Sequence, residues 1–154
     1  MLLDLSLGGT QQANSLWLNP RGDIPHDPRV IPFPLPDHCA HSAVIVHLLE
    51  YLDQAIYYAW WDELWRVMRP GGIVYVSGPF GGDDSIGWLA EATHKIRIVD
   101  LSFGYLDPML PPYLEHAAAG RIPPPKPWRV LMSSRAAGSV GLNYEAQLQT
   151  RAEL

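Results

Sequence analysis

Two short apolar runs, Ala43-Val44-Ile45-Val46 and Ile73-Val74-Tyr75-Val76-Ser77, decide the fold of this chain. Each run is too short for a helix and rich in β-branched residues, so both are predicted to be buried strands. Between them, apolar residues recur at helical spacing from about Asp53 to Met68, and Arg69-Pro70-Gly71-Gly72 ends that helix abruptly. The pattern predicts a parallel strand–helix–strand unit, with ligands gathering beyond the carboxyl ends of its strands.

This unit and its flanks resemble the class I S-adenosylmethionine-dependent methyltransferases. Several landmarks of that family occur here in one register: Asp27, Ile31-Pro32-Phe33-Pro34, His47, Leu49-Glu50, Leu52 and Arg69-Pro70-Gly71-Gly72. The resemblance implies an α/β fold with a mostly parallel, Rossmann-like sheet and helices on its faces, in a trimmed form. It also implies that the chain uses S-adenosylmethionine.

The first predicted strand, Leu2 to Leu7, carries a degenerate form of the family's cofactor motif. In the family an acid is followed by three glycines at alternate positions, which let the backbone approach the cofactor. Asp4 matches the acid and Gly8 the middle glycine, whereas Ser6 and Thr10 replace the other two. The resemblance therefore implies that Asp4, Ser6 and Gly8 line the cofactor. An ordinary strand-to-turn junction is the alternative.

Three further positions are implied to bind the cofactor. Asn19 stands where the family has the acid that binds both ribose hydroxyls, and an amide can replace a carboxylate there only with a weaker hydrogen bond. Asp27 matches the acid that accepts from the adenine amino group, and Ile31 follows it. Both polar residues have a local alternative, because Asn19 precedes a proline and Asp27 can cap a turn.

His47 directly follows the predicted strand that ends at Val46, which is where the methyl acceptor lies in this fold. An imidazole titrates near neutral pH, so His47 is the candidate general base. Methyl transfer to a good nucleophile depends mainly on proximity and alignment, so a role in capping the strand end stays open.

The predicted helix is unusually aromatic. One face recurs at i, i+4, i+7 and i+11 and is predicted to pack on the sheet. That face comprises Tyr57, Trp61, Leu64 and Met68. Trp60 and Trp65 are placed on the neighbouring flank. Core packing is the first interpretation of this extra aromatic surface, and a surface for self-association or for a protein partner is the alternative.

The 154-residue length predicts one domain, divided into a methyltransferase-like part at 1–134 and a polar C-terminal tail at 135–154. The formal net charge of -5 argues against nucleic-acid binding. No apolar run approaches the roughly 20 residues of a membrane span, and no leader is evident, so a cytoplasmic protein is expected. The cluster His38, Cys39 and His41 lacks a second ligand pair, so no metal is predicted.

Three functions remain open at this point. The first is methyl transfer from S-adenosylmethionine to a small-molecule or protein acceptor. The second is a catalytically inactive methyltransferase-like scaffold that acts as a binding or structural subunit, favoured by Ser6, Thr10 and Asn19 at altered motif positions. The third, a nucleotide-binding protein of another doubly wound family, is weakened because no P-loop or complete G-x-G-x-x-G is present.

Overall fold

A six-stranded sheet organises the computed structural model, which describes residues 1–7, 11–82, 86–120, 125–138 and 141–151. The spatial order is β2-β1-β3-β4-β6-β5. The first four strands run parallel, and β6 pairs antiparallel with both β4 and β5. Their bounds are Leu2–Asp4 for β1, Ser15–Trp17 for β2, Ala40–Val46 for β3, Met68–Pro79 for β4, Trp128–Gly138 for β5 and Gly141–Thr150 for β6. The predicted α/β class with a mostly parallel sheet is confirmed.

The helices are short and lie between these strands. Helix α1 spans Tyr57–Val67, α2 spans Ile86–Leu89 and α3 spans Pro111–Ala118; 3-10 turns occupy Leu49–Tyr51, Gln54–Ile56 and Asp100–Leu106. The unit β3–α1–β4 is the strand–helix–strand unit that the two apolar runs predicted. The described residues between β1 and β2 contain no helix, so these parallel neighbours are joined by an abbreviated crossover.

The C-terminal part of the chain belongs to the sheet, and the prediction of a polar tail at 135–154 is wrong. The predicted boundary falls inside β5, and β6 lies between β4 and β5. Tyr144, Ala146 and Leu148 are buried at alternate positions of β6, the period of a half-buried strand. The residues that alternate with them are polar, so the mean composition of this segment is polar and does not indicate a strand.

Trp60 is also corrected, because it lies in the core and not on an exposed flank. It is fully buried, its indole Nε1 donates a hydrogen bond to the Pro28 carbonyl at 2.7 Å, and its ring meets Phe33 edge-on at 5.9 Å. The proline-rich segment before β3 therefore covers a second side of α1. Trp65 remains partly buried, with the Lys126 amino group 5.3 Å from its ring centroid.

Within the described part of the chain, no helix is long and apolar enough to cross a membrane.

Candidate functional site

Asp4 lies at the carboxyl end of β1 and is fully buried. Its Oδ1 accepts a hydrogen bond from the backbone N–H of Ser6 at 2.9 Å, and its Oδ2 accepts one from the backbone N–H of Gln12 at 2.8 Å. A buried carboxylate needs such partners. Asp4 thus ties Ser6 to Gln12 across the segment between β1 and β2, and Gly8 lies outside the described residues.

Ser6 joins this loop to the neighbouring strand. Its side chain is buried, and its Oγ accepts a hydrogen bond from the backbone N–H of Val46 at 3.1 Å. Val46 ends β3 and directly precedes His47. The first strand's loop and the candidate base are therefore held side by side at the carboxyl edge of the sheet.

Asn19 sits against the same loop and is only 5% exposed. Its Nδ2 donates to the carbonyl oxygens of Ser6 at 3.2 Å and Leu7 at 3.4 Å, and its Oδ1 accepts from the backbone N–H of Arg21 at 3.0 Å. The structure thus brings three of the predicted residues, Asp4, Ser6 and Asn19, into one corner. The donors of the Asn19 amide are both used inside the protein.

Asp27 and Ile31 form no hydrogen bond to that corner within the described residues. The Asp27 carboxylate pairs with the Arg29 guanidinium at 2.8 Å and accepts from the Arg29 backbone N–H, as a turn cap does. The hydrogen bond from Arg29 lowers the pKa of Asp27. Ile31 lines a cavity of 630 Å³ against α1, together with Trp65 and Arg66.

His47 is held by a buried carboxylate. Its Nδ1 lies 3.2 Å from Oε1 of Glu50, which is fully buried, whereas the His47 side chain is 51% exposed. The hydrogen bond with Glu50 raises the pKa of His47 above its ordinary value. No described residue hydrogen-bonds its Nε2. His47 also has a φ of +53°, a conformation that costs a non-glycine residue about 1–3 kcal/mol and that clusters at functional sites.

Glu50 accepts hydrogen bonds from two other parts of the chain, strand β6 and the segment that follows α2. Its Oε2 accepts a hydrogen bond from the Tyr144 hydroxyl at 3.4 Å, and its backbone carbonyl accepts from Lys95 N–H at 2.6 Å. Burial raises the pKa of Tyr144 well above its ordinary value, so this hydroxyl stays a donor. Gly78 leaves room for the pair, because a Cβ there would lie 2.5 Å from the Tyr144 hydroxyl.

A cavity of 280 Å³ opens next to His47, beyond the carboxyl ends of β3 and β4. Its lining is formed by His47, Tyr51, Pro79, Gly87, Ala90, Glu91, His94 and Asn143. The sequence pattern identified only the first of these as functional. No motif marks His94, and Asn143 belongs to β6, in the part of the chain predicted to be a polar tail.

The residues in the corner of β1 and β2 have the acceptor chemistry that S-adenosylmethionine needs. Its ribose hydroxyls and adenine amino group are donors, so a matching site must offer acceptors. Asn19 Oδ1 accepts one hydrogen bond and keeps a second lone pair. The Asp27 carboxylate has about four acceptor positions, and Arg29 already donates hydrogen bonds to it from its backbone N–H, its Nε and its Nη2. Asn19 therefore fits a ribose hydroxyl of the cofactor that the resemblance implies, whereas Asp27 fits the adenine amino group only if Arg29 gives up one of its hydrogen bonds.

Comparisons with known proteins extend the fold assignment. No protein-family model matches the chain, and no curated protein matches it. Among solved structures, a candidate methyltransferase from Bacillus halodurans superposes with a TM-score of 0.62 at 9% identity, over 98% of this chain and 92% of its own.

Two further solved structures are similar. The first is a 1,6-didemethyltoxoflavin-N1-methyltransferase from Burkholderia thailandensis with bound 1,6-didemethyltoxoflavin and S-adenosylhomocysteine. It superposes with a TM-score of 0.55 at 10% identity, over 98% of this chain and 71% of its own. The second is a candidate methyltransferase from Haloferax volcanii in complex with a methyltransferase activator. It superposes with a TM-score of 0.57 at 12% identity, over 94% of this chain and 65% of its own. This chain spans less than two thirds of the length of the latter. At such identities the likeness shows the fold alone.

The chain has a class I methyltransferase fold. Its sheet, in the order β2-β1-β3-β4-β6-β5, lies within the 98% of the chain that superposes on two of these neighbours. The site described above occupies the carboxyl edge of the parallel strands.

Proposed function

We propose that this protein transfers a methyl group from S-adenosylmethionine to a small-molecule or protein acceptor. The observation that carries the proposal is the hydrogen bond between Ser6 Oγ and the Val46 N–H, which holds the candidate cofactor loop next to His47. The fold shared with solved methyltransferases supports it, since ligands of open α/β sheets bind beyond the carboxyl ends of the strands.

In this proposal two residues fix the shape of the cofactor corner, and two others accept hydrogen bonds from the cofactor. Asp4 fixes the loop between β1 and β2, and Ser6 fixes that loop to β3. Asn19 Oδ1 offers an acceptor to a ribose hydroxyl, and the Asp27 carboxylate accepts from the adenine amino group in exchange for a hydrogen bond from Arg29. When bound, S-adenosylmethionine supplies an electrophilic methyl group on a sulfonium centre.

His47 acts on the acceptor side. Glu50 holds its Nδ1, so Nε2 is the nitrogen that faces a ligand and takes the acceptor's proton. The cavity beside it gives an acceptor a place within reach of that nitrogen. Orientation and proximity supply most of the acceleration in such a transfer, and His47 adds general-base assistance.

The second candidate function is that of a scaffold without catalysis. It is favoured by Asn19, whose amide donors are consumed by the carbonyls of Ser6 and Leu7 and whose side chain is nearly buried. In this reading the amide stabilises a collapsed corner that no longer opens to a ribose. The Haloferax volcanii neighbour, in complex with an activator, offers a precedent for a protein partner on this fold.

Calorimetric titration with S-adenosylmethionine and S-adenosylhomocysteine separates the two. The enzyme hypothesis expects binding at micromolar ligand, and the scaffold hypothesis expects none at millimolar ligand. Asp4→Asn, which removes the charge that anchors the loop, should weaken binding. Glu115→Gln is the control, because Glu115 is an exposed carboxylate on α3, away from the β1–β2 loop.

A further inference from the structure

The cavity beside His47 has a chemical character that indicates the kind of acceptor it takes. Its volume of 280 Å³ limits it to a small molecule or a single side chain. Pro79, Gly87 and Ala90 give it an apolar floor. Tyr51 and His94 add two rings that meet edge-on with centroids 4.9 Å apart.

The charged groups of this cavity are acidic. Glu91 lies on the lining and is exposed, and Glu50 is buried beneath His47. After burial, the charges of Glu50 and Glu91 are the causes that raise the pKa of the Tyr51 hydroxyl, so both carboxylates act on the same space.

The basic side chains of the neighbouring segment interact with groups outside the cavity lining. No lysine or arginine is among the described residues of the lining. Lys95 pairs with the Asp53 carboxylate at 2.7 Å, and the Arg97 guanidinium lies over the Trp88 ring at 4.7 Å. An anionic ligand would therefore meet Glu91 with no lysine or arginine on the described wall, and His47 there is already paired with the buried Glu50. A cation would meet a carboxylate and ring faces.

We propose that this cavity binds a small organic amine in its ammonium form, with Glu91 as the counter-charge and Tyr51 and His94 as the aromatic walls. This inference rests on the proposed function and names the acceptor class of the same site. The bound ammonium passes one proton to His47 Nε2, which leaves the nitrogen with a free electron pair. Carboxylate and phosphate acceptors are rejected because the described wall offers them no lysine or arginine and His47 is already paired with Glu50.

Binding without cofactor tests this directly. Benzylammonium, benzyl alcohol and benzoate share a ring and differ in charge, and each is titrated calorimetrically into the full chain. We expect benzylammonium to bind most tightly and benzoate least. Glu91→Gln, which keeps the shape of the side chain, should weaken benzylammonium binding roughly two- to fivefold, as for an exposed charge pair. Glu115→Gln removes an exposed carboxylate on α3, outside the cavity lining, and should change nothing.

Three results overturn the inference: benzoate or benzyl alcohol binding as tightly as benzylammonium, an unaltered affinity in Glu91→Gln, or no binding of benzylammonium at millimolar concentration. A parallel titration with S-adenosylhomocysteine separates this failure from failure of the proposed function. Cofactor binding without amine selectivity rejects the acceptor class alone. Amine selectivity without cofactor binding rejects methyl transfer and leaves an amine-binding cavity.

Discussion

Ser6 Oγ accepts the backbone N–H of Val46 at 3.1 Å, and this single hydrogen bond couples the loop after β1 to the end of β3. Ser6 is buried and Val46 is partly buried, and Val46 is followed at once by His47. The serine at this position therefore makes a hydrogen bond that the glycine of the resembled motif, which has no side chain, cannot make.

Ser6→Ala should destabilise the protein. The substitution leaves the Val46 N–H without a partner at a part-buried position, which costs about 1–3 kcal/mol. Urea unfolding followed by circular dichroism measures the change. Ser42→Ala is the control: its Oγ hydrogen-bonds the ring of the exposed His41, so a loss within about 0.5 kcal/mol is expected. Equal effects of the two substitutions would show that the Ser6 bond contributes nothing.

Asn19→Asp should also destabilise the protein, although it restores the acid of the family pattern. The amide Nδ2 faces the carbonyls of Ser6 and Leu7, and a carboxylate there turns two attractions into repulsions in a nearly buried place. We expect a loss of about 1–3 kcal/mol in the free energy of unfolding. Asn14→Asp, at an exposed loop position, serves as the control. An unchanged or higher stability for Asn19→Asp contradicts the assigned hydrogen bonds.

The pKa of His47 should lie above the ordinary value of about 6.5 in the folded protein. The cause is the hydrogen bond with Glu50, so Glu50→Gln should lower it, and Glu115→Gln should leave it where it is. Histidine side-chain resonances in an NMR titration report each value. Because the folded pKa is raised, the interaction stabilises fully below the unfolded pKa and is lost as pH rises through the folded one. The stability difference between wild type and His47→Ala should therefore shrink from about pH 6 upward. A difference independent of pH contradicts the pairing.

Gly78→Ala should disturb the anchor of Glu50. A methyl group there would approach the Tyr144 hydroxyl to 2.5 Å and Glu50 Oε2 to 3.0 Å, so one of them must shift. We expect lower stability together with a lower pKa of His47, since Glu50 moves away from Nδ1. Gly104→Ala is the matched control, because its nearest neighbour would be the Pro112 side chain at 3.4 Å. If both variants give the same His47 titration curve as wild type, Gly78 does not determine the position of Glu50.

The parallel half of the fold could be predicted from the sequence because its signals are local. The β-branched run of β3 and the stop at Pro70-Gly71 each act within a few residues. Asp4, Ser6 and Asn19 could be placed in one corner by the resemblance, and the structure brings them together. Their contacts could not be predicted, because they depend on which carbonyls of the loop turn toward the amide.

The remaining features depend on distant packing. Trp60 is buried only because Pro28 and Phe33, about 30 positions earlier, fold over α1. The helical period of α1 alone does not predict that the side carrying Trp60 is covered. The anchor of Glu50 comes from Tyr144, which is 94 positions away and lies in a strand with a polar composition. Alternation of Tyr144, Ala146 and Leu148 was the signal that could have located this strand.

The most direct test of the account is to titrate the labelled protein with S-adenosylhomocysteine and follow its backbone amide resonances. The account predicts shifts at Ser6, Asn19 and His47, which flank the carboxyl edge of β1, β2 and β3. Trp65 and Arg66, on the wall of the 630 Å³ cavity, should not shift. Shifts confined to Trp65 and Arg66, or no shift at millimolar ligand, would contradict a cofactor site at the end of β1.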